Sequence, residues 1–267
     1  MSAPPLALTI AGSDSGGGAG IQADLKTFQE LGVFGMSVIT ALTAQNTVGV
    51  HGVHEIPPQF VRAQIDAVAQ DIGVDAAKLG MLSSAAIISA VADGVQAHGI
   101  RRLIVDPVSA SKHGDPLLRP DAVDALRERI LPLAEVVTPN VGEVLLLTGV
   151  DVREPKDMAA AARAMKALGP EWVLVKGGHL PGNADAIDLL YDGRTEIRIA
   201  GERLDTADTH GTGCTLSAAI AAYRAQGADV VDSVRAAKEF VTGAIRGGLR
   251  IGEGIGPVDH GWRRRGA

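Results

Sequence analysis

The chain has 267 residues, of which 46% are hydrophobic, 21% are charged and 3% are aromatic, and its formal net charge is −6. This composition is typical of a globular protein with a largely aliphatic core. The negative charge argues against nucleic acid as a partner, because phosphate backbones attract basic surfaces.

The cysteine count and the N-terminal segment bear on location. A single cysteine, Cys214, excludes an internal disulfide and favours a reducing compartment. The first apolar run is short, glycine-interrupted and not preceded by a basic residue, so it does not fit a secretory signal. No stretch approaches the roughly 18 apolar residues of a membrane span. We therefore expect a cytoplasmic protein that does not associate with membranes.

Short apolar runs alternate with amphipathic runs, which predicts alternating strands and helices. Strands are predicted at 6–12, 36–45, 76–81, 101–108, 135–140 and 171–178. Helices are predicted at 21–32, 57–73, 83–99, 120–134, 141–149, 156–169, 213–226 and 229–250. Strand-like runs on both sides of Asp192-Gly193 predict a β hairpin over 186–201.

This order of elements predicts an α/β fold of three layers, with helices on both faces of a mostly parallel sheet. We expect one domain over 1–267, with a frayed basic tail at 260–267. Ligands of such sheets bind at the carboxyl ends of the strands. The loops that follow the strands are therefore the candidate site.

The loop after the first predicted strand, GSDSGGGAG at 12–20, is rich in glycine. Glycines let backbone N–H groups approach a ligand closely, although neither the dinucleotide nor the P-loop fingerprint is present. A tight strand-to-helix turn is the alternative interpretation. Asp24 lies one turn into the next helix, where it either faces this loop or is a solvated carboxylate favoured by the helix dipole.

Amide and carboxylate side chains follow two other strands. Gln45 ends the second strand, where its amide either reads the edge of a heterocycle or simply occupies a turn. Asn140 and Glu143 are three residues apart at a strand-to-helix junction with Thr138. Their oxygens suit Mg²⁺ bound through waters, and the same spacing also predicts a capping box.

The last two loops carry a lysine and a thiol. Lys176 emerges from a strand end, where it either neutralises a phosphate or extends along the surface. The run Gly211-Thr212-Gly213-Cys214 opens a helix. Its amides would form an anion hole, and the helix dipole would lower the pKa of the Cys214 thiol. The alternative is a helix-entry turn with a buried, inert cysteine.

Together the loops supply a ligand-facing glycine loop, oxygens for a metal, a cation and an anion hole beside a possible base. Phosphoryl transfer needs these parts, because its catalysis consists of positioning, charge neutralisation and proton acceptance. The sequence therefore predicts a phosphotransferase.

The chain resembles the ribokinase superfamily and, within it, the hydroxymethylpyrimidine/phosphomethylpyrimidine kinases. The resemblance runs nearly end to end through AGSDSGGGAGIQADLKT, TALTAQNTVGV, KLGM, VDPV, TPNVGE, VKGGH and DTHGTGCTLSAAIA. It implies a ribokinase-like fold, ATP as co-substrate, Mg²⁺ and a homodimer. It also implies two reactions at one site in thiamine diphosphate biosynthesis: phosphorylation of the substrate's hydroxymethyl group, then conversion of the monophosphate to the diphosphate.

The resemblance also implies residue roles. Cys214 would be the base, because it stands where the superfamily's sugar kinases have an aspartate. The rest of the catalytic set would be Lys176 on the ATP phosphates and an anion hole at Gly211, Thr212 and Gly213. Asn140 and Glu143 would organise Mg²⁺ through waters. The pyrimidine would contact Gln45, Asp24, Gly12, Ala19, Met81 and Val108.

The flap SASKHGDPLL departs from the family's usual apolar start, which leaves Lys112 and His113 either as phosphate and substrate contacts or as mobile loop residues. His210 is expected only to cap or hydrogen-bond locally. Two other functions stay open. A pyridoxal kinase would act on a similar hydroxymethyl group, and a non-catalytic pyrimidine sensor would bind without consuming ATP.

Overall fold

The computed structural model describes residues 3–114, 117–178, 180 and 185–265. In these ranges nine strands form one sheet, in the order β3-β2-β1-β4-β5-β6-β7-β8-β9. The strands are β1 Leu6–Asp14, β2 Phe34–Gln45, β3 Val50–Glu55, β4 Ala76–Leu79, β5 Leu103–Val105, β6 Val136–Val137, β7 Trp172–Val175, β8 Asp185–Tyr191 and β9 Glu196–Glu202. The helices are α1 Gly20–Glu30, α2 Pro58–Asp71, α3 Ala85–Ala97, α4 Ala122–Ala125, α5 Val141–Thr148, α6 Met158–Lys166, α7 Thr212–Ala225, α8 Val230–Arg246 and α9 Trp262–Arg265.

The centre of the sheet is parallel. Ile10 of β1 lies opposite Val38 of β2 on one side and Leu79 of β4 on the other, and the parallel pairing continues through β7. The outer strands β3, β8 and β9 pair antiparallel. All parallel strands therefore end at one edge, as expected for a sheet whose connections are helices.

Two hydrophobic cores cover the two faces of this sheet. One contains Ile65 of α2 and Val91 of α3, and it continues under α5 and α6. The other contains Phe28 of α1, Ile220 of α7 and Phe240 of α8. These apolar helical faces bury both sides of the parallel strands, which confirms the predicted three-layer α/β class.

Local chemistry explains where the elements differ from the predictions. The helix expected at 120–134 contains one α turn, a π turn at Leu126–Ile130 and a 3₁₀ turn at Leu131–Leu133, where Pro132 lacks an N–H. The last long helix ends at Arg246 rather than 250, before two glycines. Strand β3 was not predicted, because VHGVHE lacks a strong apolar pattern and, among the described strands, pairs with β2 alone.

The C-terminal segment differs from the expected frayed tail. His260 is buried, and Trp262 packs against Phe240 of α8 with 6.3 Å between ring centroids. Arg265 donates a 2.7 Å hydrogen bond from Nε to Asp259. The basic run is therefore anchored by one aromatic side chain, which composition alone did not reveal; residues 266–267 lie outside the described ranges.

Buried His260 makes stability sensitive to acid. Burial lowers its pKa to about 4, helped by repulsion from Lys26, and its Nε2 lies 3.0 Å from the Thr215 hydroxyl. The folded pKa lies below the unfolded value, so this contribution is present above pH ~6.5 and is lost as pH falls toward 4. Between pH 7 and 4.5, His260 should remove roughly 2–3 kcal/mol of unfolding free energy.

Urea unfolding at the two pH values would measure this loss in the wild type and in His260→Gln. The variant should be less stable at pH 7, yet it should lose roughly 2–3 kcal/mol less on acidification, because glutamine does not titrate. Parallel pH dependences in the two proteins would contradict the assignment.

Candidate active site

A cavity of about 650 Å³ opens at the carboxyl edge of the parallel strands. It is lined by every predicted site residue except Asp24: Gly12, Ala19, Gln45, Met81, Val108, Asn140, Glu143, Lys176, Gly211, Thr212, Gly213 and Cys214. The sheet brings these loops together because its parallel strands end side by side. A second cavity of about 540 Å³, between β9 and α8, contains none of the predicted residues.

The glycine loop is folded around a buried carboxylate. Asp14 accepts backbone hydrogen bonds from Gly16 at 2.8 Å, Gly18 at 3.1 Å and Ala19 at 2.9 Å. His210 Nε2 lies 2.9 Å from Asp14 Oδ2. Burial would raise the pKa of Asp14, but the hydrogen bonds from His210 and the loop amides hold it below its usual value. The acidic residue at the strand end, followed by glycines, was the only sequence signal for this arrangement.

His210 thus has a long-range partner rather than the expected local one. It precedes Gly211, so its contact with Asp14 joins the glycine loop to the start of α7. The two segments touch directly as well, because a Cβ added at Gly18 would lie 2.6 Å from His210 Cδ2.

Asp24 is fully buried behind the cavity wall. Its carboxylate accepts hydrogen bonds from Lys78 Nζ at 2.9 and 3.0 Å and from Thr9 Oγ1 at 2.6 Å. The alternative of a solvated first-turn carboxylate is therefore wrong, because Asp24 is 0% exposed. The predicted contact between Asp24 and a substrate remains a prediction, since Lys78 rather than Asp24 lines the cavity.

Asn140 and Glu143 form a capping box and also line the cavity. The Asn140 side chain accepts from the Glu143 amide at 2.9 Å, and Glu143 Oε2 accepts from the Asn140 amide at 2.7 Å. Burial raises the pKa of Glu143 to about 7, with Lys176 opposing and Asp106 reinforcing the rise. The two sequence interpretations, cap and cavity residue, are thus compatible.

Lys176 lies between two buried carboxylates. Its Nζ donates to Asp106 Oδ1 at 2.8 Å and lies 3.9 Å from Glu143 Oε2. Burial opposes its charge, but Asp106 and Glu143 outweigh burial and raise the pKa of Lys176. Asp106, which also accepts a 3.3 Å hydrogen bond from Thr138, was missed although it ends the apolar run of β5.

Helix α7 begins at the predicted anion hole. Gly211 is its N-cap with φ +83°, and Gly211 O accepts the Thr215 amide at 2.8 Å. The first amides of a helix have no intrahelical acceptor, and the dipole favours an anion there. A Cβ added at Gly213 would lie 3.4 Å from Lys176 Nζ, so the lysine stands directly beside this helix start.

Cys214 is half-buried, and its titration differs from the prediction. Burial raises the pKa of its thiol to about 11, and Asp24 and Asp106 add to the rise. Lys78 and the Gly20 amide act in the opposite direction. The expected lowering by the helix dipole is therefore wrong, because desolvation and two neighbouring carboxylates outweigh it.

The two flap residues differ in their position relative to the cavity. Lys112 lines the cavity, and although the residue is exposed, partial desolvation lowers its pKa. His113 does not line it, and its amide donates to Ser111 Oγ at 3.2 Å. Their roles remain predictions. The described residues contain no group of three or more His, Cys, Asp or Glu side chains placed to hold a metal ion. None of the helices in the described ranges has the length and apolar character that crossing a membrane requires.

A helix start beside a buried lysine, two buried carboxylates and a cavity at the carboxyl edge of a three-layer sheet are typical of an α/β phosphotransferase. The comparisons with known proteins agree with this class. The chain belongs to the phosphomethylpyrimidine kinase family, whose model matches residues 14–259. This membership confirms the predicted resemblance and enzyme class, and it implies ATP as co-substrate.

Individual relatives cover almost the whole chain. A hydroxymethylpyrimidine/phosphomethylpyrimidine kinase from Streptomyces coelicolor is 57% identical over 259 residues, which are 97% of this chain and 95% of that protein. The thiamine biosynthesis bifunctional protein ThiED of Geobacter sulfurreducens is 50% identical over 95% of this chain and 51% of its own length. An ADP complex of Bacillus subtilis pyridoxal kinase superposes with a TM-score of 0.92 at 43% identity, covering 98% of this chain and 99% of that one.

Proposed function

We propose that this kinase transfers phosphate from ATP to the hydroxymethyl group of 4-amino-5-hydroxymethyl-2-methylpyrimidine and then converts the monophosphate to the diphosphate, in thiamine diphosphate biosynthesis. One observation carries the proposal: a single cavity holds Gln45 and the Gly211–Cys214 turn together. A hydroxymethyl group bound between them would meet the thiol and the anion hole at once.

The pyrimidine occupies the end of the cavity near Gln45. The Thr43 hydroxyl donates to the Ser13 carbonyl at 2.9 Å and lies 3.2 Å from Gln45 Oε1. The Gln45 amide nitrogen would donate to a ring nitrogen of the pyrimidine. Met81 and Val108 supply apolar surface for the flat ring. This combination of apolar walls and one polar reader is typical of small-molecule sites.

ATP places its γ-phosphate between Lys176 and the first amides of α7. The adenine ring of ATP would lie farther along the same cavity, where α8 contributes Val241 and Ile245. The second reaction also needs a cation for the substrate's own phosphate, and Lys112 in the flap is the candidate. These contacts would hold the acceptor oxygen in line with the γ-phosphorus, as phosphoryl transfer requires.

Mg²⁺ fits the oxygen donors at this end. The buried Glu143 carboxylate accepts the Asn140 amide through Oε2 and a second backbone hydrogen bond from Ser109. A carboxylate has four lone-pair sites, so it would also accept a hydrogen bond from a metal-bound water beside Asn140. Mg²⁺ typically keeps several waters and uses one or two carboxylates, which matches a site without a dense ligand cluster. The ion would neutralise phosphate charge there.

The substrate assay tests the proposal. Purified protein is incubated with ATP, Mg²⁺ and the hydroxymethylpyrimidine, and products are identified by mass spectrometry. We expect the monophosphate first and the diphosphate later. Gln45→Ala should raise KM for the pyrimidine by about tenfold, because the side chain that hydrogen-bonds the ring is lost. The matched control is Asn46→Ala, whose side chain caps an exposed turn outside the cavity.

Two other outcomes would replace this assignment. A higher kcat/KM for pyridoxal would make the chain a pyridoxal kinase, an alternative favoured by its structural similarity to the Bacillus subtilis enzyme. Tight pyrimidine binding without ATP consumption would indicate a sensor. We also propose a single-domain, cytoplasmic homodimer, and sedimentation equilibrium of the purified chain would test its subunit number.

A further inference from the structure

Lys78 is a buried cation that the proposed function does not use. It lies on β4 with its side chain 0% exposed, and both oxygens of Asp24 on α1 accept its hydrogen bonds. Asp24 also accepts from Thr9 on β1. Three elements therefore hold one ion pair in the centre of the fold.

Stability alone does not explain such a pair. Removing both charges from water is costly, and replacing a buried ion pair by apolar residues of similar size is often neutral or stabilising. A buried lysine beside a cavity is instead a candidate for a functional role. Lys78 meets this condition, because it lines the same cavity as Cys214.

The position of the ammonium group is well defined. A Cβ added at Gly80 would lie 2.8 Å from Lys78 Nζ, so the glycine leaves room for this group. The ammonium donates two hydrogen bonds to the Asp24 carboxylate. These hydrogen bonds hold its positive charge at the cavity wall.

Charged groups on several elements act on the Cys214 sulfur. Asp24 on α1 and Asp106 after β5 oppose a negative sulfur, whereas Lys78 on β4 favours it, and Lys176 after β7 also interacts with the sulfur. Among these groups Lys78 exerts the strongest favourable effect on the thiolate. Lys176 is engaged by Asp106 at 2.8 Å and faces the phosphate end.

We propose that Lys78 is a positioning residue for phosphoryl transfer: held by Asp24, its buried ammonium stabilises the Cys214 thiolate that accepts the substrate's hydroxyl proton. The inference rests on the proposed function. In the step, the hydroxyl proton moves to Cys214 Sγ, the oxygen bonds to the γ-phosphorus, and the bond from that phosphorus to ADP breaks.

Alkylation of the thiol tests the charge effect without any substrate. Cys214 is the single cysteine, so modification by iodoacetamide, followed by mass spectrometry, reports this thiol alone. The rate is measured against pH for the wild type and the double variant Asp24→Asn/Lys78→Met. The double variant leaves no unpaired buried charge, whereas Asp24→Asn alone would remove the carboxylate that keeps the buried Lys78 protonated.

Removal of the pair should move the alkylation profile to higher pH. The double variant loses the strongest favourable charge together with a weaker opposing one, so its profile should lie about one unit above that of the wild type. If the two profiles coincide, Lys78 does not act on the thiol. Should this double variant not fold, Asp24→Leu/Lys78→Met, which leaves apolar side chains at both positions, is measured in its place, and an unshifted profile there overturns the proposal.

Turnover in a second background separates the charge effect from a structural one. Asp24→Asn/Lys78→Met should lower kcat at pH 8 by about tenfold or more relative to the wild type. In a Cys214→Asp background the same double change should cost less than about threefold, because an aspartate is ionised without help. Equal losses in both backgrounds would assign Lys78 a purely structural role. If no variant turns over but the alkylation shifts appear, the proposed function fails while the effect of Lys78 on Cys214 stands.

Discussion

Replacing Cys214 by alanine should lower kcat for pyrimidine phosphorylation by about 10²–10³-fold, while KM for both substrates stays within about threefold. A general base contributes roughly 10²–10⁴-fold, and a loose phosphoryl-transfer transition state draws limited help from it. The side chain is small and half-buried, so its removal should leave the fold intact. Steady-state kinetics with each substrate varied in turn would measure both constants.

The pH dependence identifies the reacting form of Cys214. With its pKa raised to about 11, the thiolate fraction rises about tenfold per pH unit across the neutral and mildly alkaline range. The logarithm of kcat should therefore increase with a slope near one between about pH 7 and 10. Cys214→Asp, which is ionised at neutral pH, should give a flat profile over that range. A flat wild-type profile would show that the thiolate is not the base.

Gly211→Ala should reduce kcat by more than about 10²-fold, because the substitution displaces the anion hole. Gly211 has φ +83°, where an L-residue is strained by about 1–2 kcal/mol. A Cβ there would lie only 1.9 Å from the Gly18 carbonyl oxygen, so the helix start and the glycine loop must separate. Loss of one preorganised donor to a reacting anion costs about 10²–10³ in rate.

Gly227→Ala is the matched control for this prediction. Gly227 has φ +93° just beyond the end of α7, and apart from its chain neighbours no atom of the described residues lies within 4 Å of an added Cβ. It should carry the backbone strain alone, lowering Tm by roughly 2–8 °C while leaving kcat within about twofold. Equal activity of the two alanine variants would contradict an anion hole at Gly211.

The sequence by itself determined the layered fold and the loops that line the cavity. Apolar runs such as 6–12 predicted strands, and amphipathic runs such as 57–73 predicted helices, because burial imposes a local period on each element. Parallel strands end at one edge, so motifs as distant as the 12–20 loop and the turn before Cys214 were expected to meet there. The irregularity of the helix at 120–134 and the strand β3 were not predicted, because the local sequence patterns there are weak.

The tertiary structure alone decided the electrostatics of the site. Asp14 and His210 are 196 residues apart, and no local pattern links them. In the sequence, Lys78 is one residue of a short predicted strand, and only the fold shows that it is buried against Asp24. The titration of Cys214 reversed for the same reason: a helix start favours a thiolate locally, but burial and carboxylates from α1 and β5 outweigh that field. A pKa depends on charges and solvent in three dimensions, so the sequence could name the thiol but not the sign of its shift.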